Sequence, residues 1–344
     1  MAELIASSTP EECTPVNAPT SAAPLLEVKH LTKHFPIRGG VLRRTVAEVH
    51  AVDDISLSIA PGETLGLVGE SGCGKSTVGK TLLHLLDRYQ GEVWFDQQAL
   101  HTLPRKALKA LRQDIQMIFQ DPMESLNPRH TVSDIIEEPL IIHRKGSRTE
   151  RLARVRQLAQ RVGLSDQALH RYPHEFSGGQ RQRIGIARAI ALQPRLIVCD
   201  EPVSALDVSI QSQILNLLLD LQQELNSAML FISHDLAVVQ HVSHRIAVMY
   251  LGQLVEVADA ATLYKTARHP YTQTLLAAIP RPEPGARLRR QLPTGEPPSP
   301  IKPPTGCRFH PRCPLAQPRC REQPPALEHI ATRHQVACHY WEQS

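Results

Sequence analysis

Short apolar runs alternate with longer amphipathic segments through the middle of the chain. The apolar runs have the length of buried strands and occupy residues 64–68, 196–199 and 229–232. Apolar residues at helical spacing occupy residues 77–86, 131–170, 214–225 and 264–278. Strands that alternate with helices in this way indicate an α/β fold with a mainly parallel sheet. Upstream, Ile55, Leu57 and Ile59 alternate with polar residues, which predicts a strand with one buried face.

The two ends of the chain differ from the middle. Residues 1–24 mix glutamates, prolines and small residues, which predicts a disordered tail. Fifteen of the 28 prolines lie between Pro270 and Pro325, and four of the seven cysteines lie between residues 307 and 338. A chain of 344 residues is long enough for about two domains. We therefore expect a large α/β domain followed by a small proline-rich module.

Composition narrows the function mainly by exclusion. The net charge of +4 is too small to indicate a nucleic-acid-binding surface, and 4% aromatic residues argue against platforms on which bases stack. No apolar run approaches the length of a transmembrane helix. The first residues lack the basic and apolar regions of a signal peptide. A location in the cytosol is therefore expected.

Directly after the first buried run, the chain matches the phosphate-loop pattern G-x-x-x-x-G-K-[ST]. The matching residues are Gly69, Glu70, Ser71, Gly72, Cys73, Gly74, Lys75, Ser76 and Thr77. Glycines in such a loop let backbone N–H groups curl around a phosphate at the start of a helix. Lys75 is expected to neutralise the β- and γ-phosphates of ATP, and Ser76 to ligate Mg²⁺.

A pair of carboxylates follows the second buried run. Asp200 stands at the carboxyl end of this run, where it can hold Mg²⁺ through water. Glu201 comes next and can act as a base on an attacking water. The alternative is an ordinary strand-end pair that faces solvent. An intact phosphate loop upstream favours the catalytic interpretation.

A third motif, F-S-G-G-Q at residues 176–180, resembles the signature motif of ABC-type ATPases. Ser177 can cap a helix that begins with Gly178, Gly179 and Gln180, so that backbone can approach a γ-phosphate closely. Further matches come in the order of the family: Phe35 under adenine, Gln120 of the Q-loop, Asp207 of the D-loop and His234 of the switch. Taken alone, Phe35 could equally belong to the core, and a single histidine more often has a structural role.

The resemblance to ABC-type ATPases implies a P-loop NTPase domain over residues 25–265, called the cassette below. Its expected parts are a RecA-like core, an antiparallel β subdomain and a helical subdomain. The family also implies a head-to-tail dimer, in which each phosphate loop faces the signature motif of a partner subunit. In such a pair Glu201 polarises the attacking water, His234 contacts the γ-phosphate, and Gln120 links the Mg²⁺ site to a membrane partner.

Residues 266–344, called the C-terminal module below, indicate a subfamily. The motifs R-H-P-Y-T-Q-T-L-L at 268–276 and G-E-P-P-S-P at 295–300 resemble ATPase subunits of dipeptide and oligopeptide importers, most closely the F-type subunits of dipeptide importers. Such subunits pair with a related but distinct ATPase subunit, two permease subunits and an extracytoplasmic peptide-binding protein. They lie on the cytoplasmic face of the bacterial inner membrane. The resemblance implies that residues 120–129 receive a coupling helix of a permease.

Four cysteines of the C-terminal module have the spacing C-x₅-C-x₆-C-x₁₇-C, namely Cys307, Cys313, Cys320 and Cys338. Thiolates at such intervals can converge on one ion or cluster, and a cytosolic chain has little use for disulfides. The spacing does not choose among an iron–sulfur cluster, zinc, and reduced cysteines in a packing module. The family resemblance implies a [4Fe–4S] cluster in at least some members. A fifth cysteine, Cys73, is a candidate for oxidation because it lies in the phosphate loop.

These features predict the ATP-hydrolysing subunit of an importer for dipeptides or oligopeptides, without a phosphoenzyme. The same cassette could serve an importer for another solute, such as nickel, glutathione or a peptide-like compound, because ATPase subunits do not contact the cargo. A soluble ABC ATPase that acts on DNA or ribosomes is the rival from another class. One phosphate loop, one signature motif and a short insertion between Gln120 and Phe176 argue against that rival.

Overall fold

The computed structural model describes residues 23–39, 44–87, 89–279 and 295–344. The predicted tail lies outside these ranges except for its last two residues. The strands are β1 (Leu26–Gly39), β2 (Arg44–Ile59), β3 (Thr64–Val68), β4 (Gln90–Phe95), β5 (Gln98–Ala99), β6 (Ile115–Ile118), β7 (Leu196–Asp200), β8 (Ala228–Ser233), β9 (Arg245–Tyr250), β10 (Gln253–Asp259), β11 (Glu328–Ala331) and β12 (His334–Val336). The helices are α1 (Lys75–Leu82), α2 (Arg105–Leu111), α3 (Pro122–Ser125), α4 (Val132–Ile142), α5 (Arg148–Arg161), α6 (Gly178–Ile190), α7 (Val208–Leu225), α8 (Leu236–Val242), α9 (Ala260–Thr266), α10 (Pro270–Ala277) and α11 (Pro318–Glu322).

The strands form two sheets that match the predicted α/β architecture. The larger sheet has the order β11-β12-β10-β9-β3-β8-β7-β6, and its strands from β9 to β6 are parallel. The smaller sheet, β2-β1-β4-β5, is antiparallel throughout. Helices α4, α5 and α6 pack against one another and form a helical layer. All three predicted buried runs are strands, and β3, β8 and β7 lie side by side with every residue buried.

The helix after the phosphate loop is shorter than its apolar pattern predicts. It ends at Leu82, because His84 adopts a left-handed backbone conformation with φ of 52°. Leu85 is consequently 46% exposed and does not join the core. Its side chain instead lines a surface groove beside the nucleotide site.

The C-terminal module continues the large sheet of the cassette. Strand β12 pairs with β10 through Glu256 opposite Val336, and β11 pairs with β12 as the outermost strand. The sequence did not predict this hairpin, because its strands have only four and three residues and β11 is mostly exposed. The two predicted helices near residues 264–278 are present as α9 and α10.

A buried glutamate fixes the module to the sheet. Glu256 on β10 is fully buried and accepts hydrogen bonds from the backbone N–H groups of Arg268 at 2.7 Å and His269 at 3.0 Å. The imidazole of His334 on β12 lies 2.8 Å from the same carboxylate. Burial lowers the pKa of His269 to about 4, although the nearby Glu256 acts in the opposite direction. Glu256 therefore has three partners from two separate segments of the module.

We predict that Glu256→Ala lowers the free energy of unfolding by about 3–5 kcal/mol, because it leaves buried partners without an acceptor. Urea unfolding followed by circular dichroism measures the change. Glu328→Ala is the control, since Glu328 is exposed on β11 and is expected to change stability by less than about 0.5 kcal/mol. Equal stabilities of the Glu256 and Glu328 variants would contradict this role of Glu256.

Candidate nucleotide-binding site

The candidate site forms where three parallel strands end. The phosphate loop follows β3, Asp200 ends β7 with Glu201 directly after it, and His234 follows β8. Parallel neighbours end at the same edge of a sheet, so residues far apart in sequence become adjacent. Ser76 donates a hydrogen bond of 2.6 Å from its hydroxyl to Asp200 Oδ1, across 124 positions of sequence. Burial raises the pKa of Asp200, and the hydrogen bond from Ser76 partly opposes that rise.

The phosphate loop holds its own lysine. The Lys75 side chain is almost fully buried, and its Nζ donates to the carbonyl oxygens of Gly69 at 2.8 Å and Glu70 at 3.0 Å. An ammonium group fixed in this way is placed before a nucleotide arrives, so less rotamer entropy is lost on binding. Helix α1 begins at Lys75, so its N-terminus opens on the same loop.

Two glycines of the loop lie too close to neighbouring strands for any side chain. Gly74 has φ of 107°, and a Cβ there would stand 1.9 Å from the carbonyl oxygen of Ala51 on β2. A Cβ on Gly69 would stand 2.1 Å from the carbonyl oxygen of Met249 on β9. The loop therefore packs its backbone directly against both sheets.

Cys73 is not placed as a reactive thiol. Its side chain is 5% exposed, and burial raises the pKa of the thiol although Lys75 acts in the opposite direction. The thiolate is the form that reacts with oxidants. Burial and the raised pKa both argue against the prediction that Cys73 is sensitive to oxidation.

Glu201 lies between two other predicted residues. Gln120, just after β6, donates a hydrogen bond of 3.1 Å from Nε2 to Glu201 Oε2. His234 Nδ1 lies 3.4 Å from Glu201 Oε1. The backbone of Glu201 has φ of 46°, a conformation that is costly for a residue with a side chain and that recurs at functional sites. The sequence order alone could not show that these three side chains meet.

Phe35 lies on β1 of the smaller sheet, beside the strand that contacts the phosphate loop. It stands opposite Val49 on β2, two residues from the Ala51 carbonyl that contacts Gly74. Two residues along a strand and one interstrand spacing at right angles to it give a diagonal of roughly 8 Å from Phe35 to Ala51. Its ring is partly exposed, and Lys33 Nζ lies 5.0 Å from the ring centroid. The placement of this ring under adenine stays a prediction.

The signature residues form an exposed helix start. Ser177 caps α6 through a reciprocal capping box, since its hydroxyl accepts from Gln180 N–H and Gln180 Oε1 accepts from Ser177 N–H. Ser177, Gly178 and Gln180 are exposed, whereas Gly179 is buried against Ile210. Within the described ranges, no hydrogen bond joins these residues to the phosphate loop of the same chain.

A further exposed patch lies beside Asp207, at the start of α7. Asp207 itself is exposed, and the next residue, Val208, leaves 78% of its apolar side chain in solvent. This fraction is the highest among the large hydrophobic residues of the described part of the chain. An apolar side chain so exposed beside a polar motif is typical of a contact surface.

A groove of about 610 Å³ opens between the site and the helical layer. It reaches from Asp200 and Gln120 on one side to residues 82–85 on the other, and Glu124, Ser125 and Arg188 complete the wall. Arg188 donates to the carbonyl oxygen of Ser125 at 2.7 Å, which fixes the segment after Gln120 to α6. The family resemblance predicted that residues 120–129 form a groove wall for a permease helix. It did not predict that residues 82–85 line the same groove.

The four cysteines of the module gather around one small cavity. Cys307, Cys313, Cys320 and Cys338 all line it, together with Pro270, Phe309, Leu315 and Tyr340. The backbone N–H of Tyr340 donates to Cys338 Sγ at 3.4 Å. Burial raises the pKa of Cys307 and of Cys313 to about 11. A strong positive charge is therefore needed to hold these thiols as thiolates.

The sulfur atoms do not form a compact group. In the described part of the chain, no three cysteines have sulfur atoms that all lie within 4.8 Å of one another. One group of potential metal ligands does meet this limit, and it consists of His34, His50 and Asp53. Arg308 already forms an ion pair with Asp53 of that trio.

Comparison with known families decides what this arrangement is. Residues 52–204 match the model of the family described as ABC transporter, and residues 255–320 match the family described as oligopeptide/dipeptide transporter, C-terminal region. The oligopeptide transport ATP-binding protein AppF of Bacillus subtilis is 52% identical over 320 residues, which cover 92% of this chain and 97% of AppF. The chain belongs to the ABC transporter family. Its cassette is an ABC-type ATPase.

Two further comparisons extend the match. The glutathione import ATP-binding protein GsiA of Pectobacterium atrosepticum is 54% identical over 285 residues, which cover 83% of this chain and 46% of GsiA. The dimeric ATP-binding cassette MJ0796, solved in a post-hydrolysis state with ADP and Pi, aligns with a TM-score of 0.61 at 30% identity and covers 68% of this chain and 98% of MJ0796. The predicted ABC-type fold is thereby confirmed. In the described ranges, every helix is too short or too polar to cross a bilayer.

We predict that Gly74→Ala raises the Kd for ATP more than about tenfold, because a Cβ meets the Ala51 carbonyl and the positive φ adds strain. Titration with a fluorescent ATP analogue measures the change. Gly185→Ala in α6 is the matched control, since a Cβ there meets nothing within 4 Å. The control is expected to keep the affinity and to gain up to about 1 kcal/mol in stability. Unchanged affinity of the Gly74 variant would refute the close-packing argument.

Proposed function

We propose that this chain is the ATP-hydrolysing subunit of a bacterial importer for dipeptides or oligopeptides. The observation that carries the proposal is the match of residues 52–204 to the ABC transporter family in a chain whose residues 255–320 match the C-terminal region of oligopeptide/dipeptide transporters. A relative named as an oligopeptide transport protein matches along 97% of its length. The cargo class therefore rests on the C-terminal region, since the cassette alone is shared by transporters of many solutes.

The proposed chemistry is attack of water on the γ-phosphate with ADP as leaving group. Glu201 accepts the proton of the attacking water, and His234 donates to the γ-phosphate. Their separation of 3.4 Å supports joint action on one water. Lys75 and the N–H groups of the phosphate loop bind the β- and γ-phosphates. No side chain becomes phosphorylated.

The hydroxyl of Ser76 and the carboxylate of Asp200 are proposed to hold Mg²⁺, with the amide oxygen of Gln120 as a third partner. Oxygen donors of this kind are the ligands that Mg²⁺ prefers, and Ser76 and Asp200 already touch each other. The bound ion neutralises charge on the phosphates. In this assignment Gln120 connects the metal site with the groove, because its side chain borders both.

The signature residues are proposed to act on the phosphate loop of a partner subunit. Ser177 and Gly178 are exposed at the N-terminus of α6, where backbone N–H groups can bind a γ-phosphate. Asp207 and Val208 lie on the same proposed contact face, and Phe35 stacks on adenine. We propose a head-to-tail heterodimer with a related ATPase subunit, as the family resemblance implies. The cassette MJ0796, which was solved as a dimer, supports the pairing of two cassettes.

The groove beside Gln120 is proposed to receive a coupling helix from a permease. Its size suits the side chains of a short helix, and Leu85 and Met123, which lie on and near its rim, are about half exposed. The full assembly then has two permease subunits and an extracytoplasmic peptide-binding protein. In this assembly the chain is peripheral to the cytoplasmic face of the inner membrane, and nucleic acid is not a partner.

A specific comparison favours a second candidate cargo. The relative GsiA is named as a glutathione import protein, and 54% identity over 285 residues places it near this chain. Glutathione is itself a small peptide-like solute, so both cargoes are compatible with the same C-terminal module. Other peptide-like solutes or nickel remain further alternatives, because the chain does not contact its cargo in the proposed assembly.

We predict that Glu201→Gln retains ATP binding but abolishes uptake, since an amide cannot accept the proton of the attacking water. A strain that lacks this gene is complemented with the wild type or the variant, and uptake of labelled dipeptides and labelled glutathione is measured. Asp220→Asn, an exposed change on α7, is the control and is expected to restore uptake. Uptake of neither peptide class by the wild-type complement would refute the proposed cargo.

We also propose that the four module cysteines hold a [4Fe–4S] cluster. A single zinc ion at about 2.3 Å from each sulfur needs four sulfur atoms roughly 3.8 Å apart, whereas among the described residues no three cysteine sulfurs all lie within 4.8 Å of one another. In a [4Fe–4S] cluster each thiolate binds a different iron, so a wider set of sulfurs is required. The N–H···S hydrogen bond from Tyr340 to Cys338 supports a negatively charged sulfur.

We predict that anaerobically purified protein contains iron and is coloured, and that Cys320→Ser removes most of both because it leaves three ligands. Iron analysis and visible absorption measure the effect. Cys199→Ala is the control, since Cys199 lies in β7 outside the module. Colourless wild-type protein that contains zinc would exclude the iron–sulfur cluster.

A further inference from the structure

The phosphate loop carries a carboxylate that the ATPase chemistry does not use. Glu70 is the second residue of the loop, where a negative charge repels the phosphates of an incoming nucleotide. Its side chain is 28% exposed, so solvent screens only part of this charge. A partner that compensates Glu70 would therefore affect nucleotide affinity directly.

That partner comes from the C-terminal module. Arg312 forms a two-pronged ion pair with Glu70, with 2.9 Å from Nη1 to Oε2 and 3.1 Å from Nη2 to Oε1. The Arg312 side chain is 7% exposed, and 242 positions separate it from Glu70 in sequence. Paired hydrogen bonds of this geometry fix direction as well as charge.

The ion pair stands on a buried aromatic cluster. Tyr271 of α10 is fully buried, and its hydroxyl accepts the backbone N–H of Glu70 at 2.9 Å. The hydroxyl oxygen of Tyr250 lies 3.4 Å from Arg312 Nη1, which donates to it. Phe309 packs against both tyrosines, with 5.3 Å between ring centroids in each case. The module thus binds both the side chain and the backbone N–H of Glu70.

Glu70 also holds Lys75, the lysine of the phosphate loop. The carbonyl oxygen of Glu70 accepts one of the hydrogen bonds from Lys75 Nζ, so the position of Glu70 and the position of the ammonium group are linked. Arg312 precedes Cys313 directly and lies in the segment between two of the cavity-lining cysteines. Folding of the module around its cysteines therefore sets where the guanidinium stands.

We propose that Arg312 is a positioning residue for nucleotide binding, which neutralises Glu70 and holds it away from the phosphates, so that the C-terminal module sets the ATP affinity of the cassette. This inference rests on ATP binding at the phosphate loop. The module then does more than identify the transporter subfamily. It supplies a part of the nucleotide site that the cassette lacks.

Removal of the positive charge of Arg312 or of the negative charge of Glu70 tests the proposal. The readout is the Kd of the full chain for a fluorescent ATP analogue. Arg312→Gln leaves Glu70 unpaired near the phosphates and is expected to raise the Kd about tenfold. Glu70→Gln leaves Arg312 as an unpaired cation and is expected to lower the Kd. The double variant is expected to return towards the wild type, because neither bare charge remains. Turnover at saturating ATP should fall far less than affinity.

Two more variants separate positioning from folding. Arg312→Lys keeps the charge but loses the two-pronged geometry, so an intermediate Kd is expected. Arg333→Gln is the matched control, because Arg333 also joins the module to the cassette, through Asp259 and Glu63, at the opposite end of β3 from the loop. It is expected to keep the wild-type Kd. Melting temperatures of all variants report whether each is folded.

Two results would overturn the inference alone. The first is equal affinity of the wild type and Arg312→Gln. The second is an equal loss of affinity in Arg312→Gln and in the double variant. If Arg312 had only a structural role, removal of the Glu70 charge would not restore the affinity. Absence of ATP binding in the wild type would overturn the proposed function and this inference together.

Discussion

The parallel pairing of β3, β8 and β7 is the constraint on which the site depends. Because these strands run in the same direction, they end at one edge and deliver the phosphate loop, His234 and the two carboxylates to a common place. The close approach of the loop backbone to Ala51 and Met249 adds a second restriction, since it requires glycine at both contact points. A change of register by one residue would separate Ser76 from Asp200. The chemistry is thus a consequence of strand order and backbone contact.

Much of the cassette could be predicted from the sequence because its signals are local. The phosphate loop, the capped signature helix and the buried strands each depend on fewer than about ten consecutive residues, and the structure contains all three. The end of α1 was predicted too late, because an apolar pattern continues to Leu86 whereas His84 turns the backbone into the left-handed region. Residue type alone does not reveal that turn.

The connections between distant segments could not be read from the sequence. Arg312 and Glu70 are ordinary charged residues, and only the folded chain shows that they form an ion pair. The β11–β12 hairpin is short and polar, and its pairing with β10 depends on contacts across about eighty residues. Glu201 was predicted from its place after a buried strand, and Gln120 and His234 from the order of the family motifs, but the contacts of Glu201 with the other two depend on sheet topology. Contacts between residues far apart in the sequence are therefore the part of the structure that the sequence alone does not predict.

The β11–β12 hairpin also has a consequence for solubility. Strand β10 is buried along most of its length, and without β12 it would present an unpaired, apolar sheet edge to solvent. Such edges recruit strands from other molecules and start aggregation. The hairpin replaces that edge with β11, which has four residues and carries the exposed Glu328 and His329. A protein shortened before residue 328 would thus lose its protection against edge-to-edge association, even if the ATPase motifs were intact.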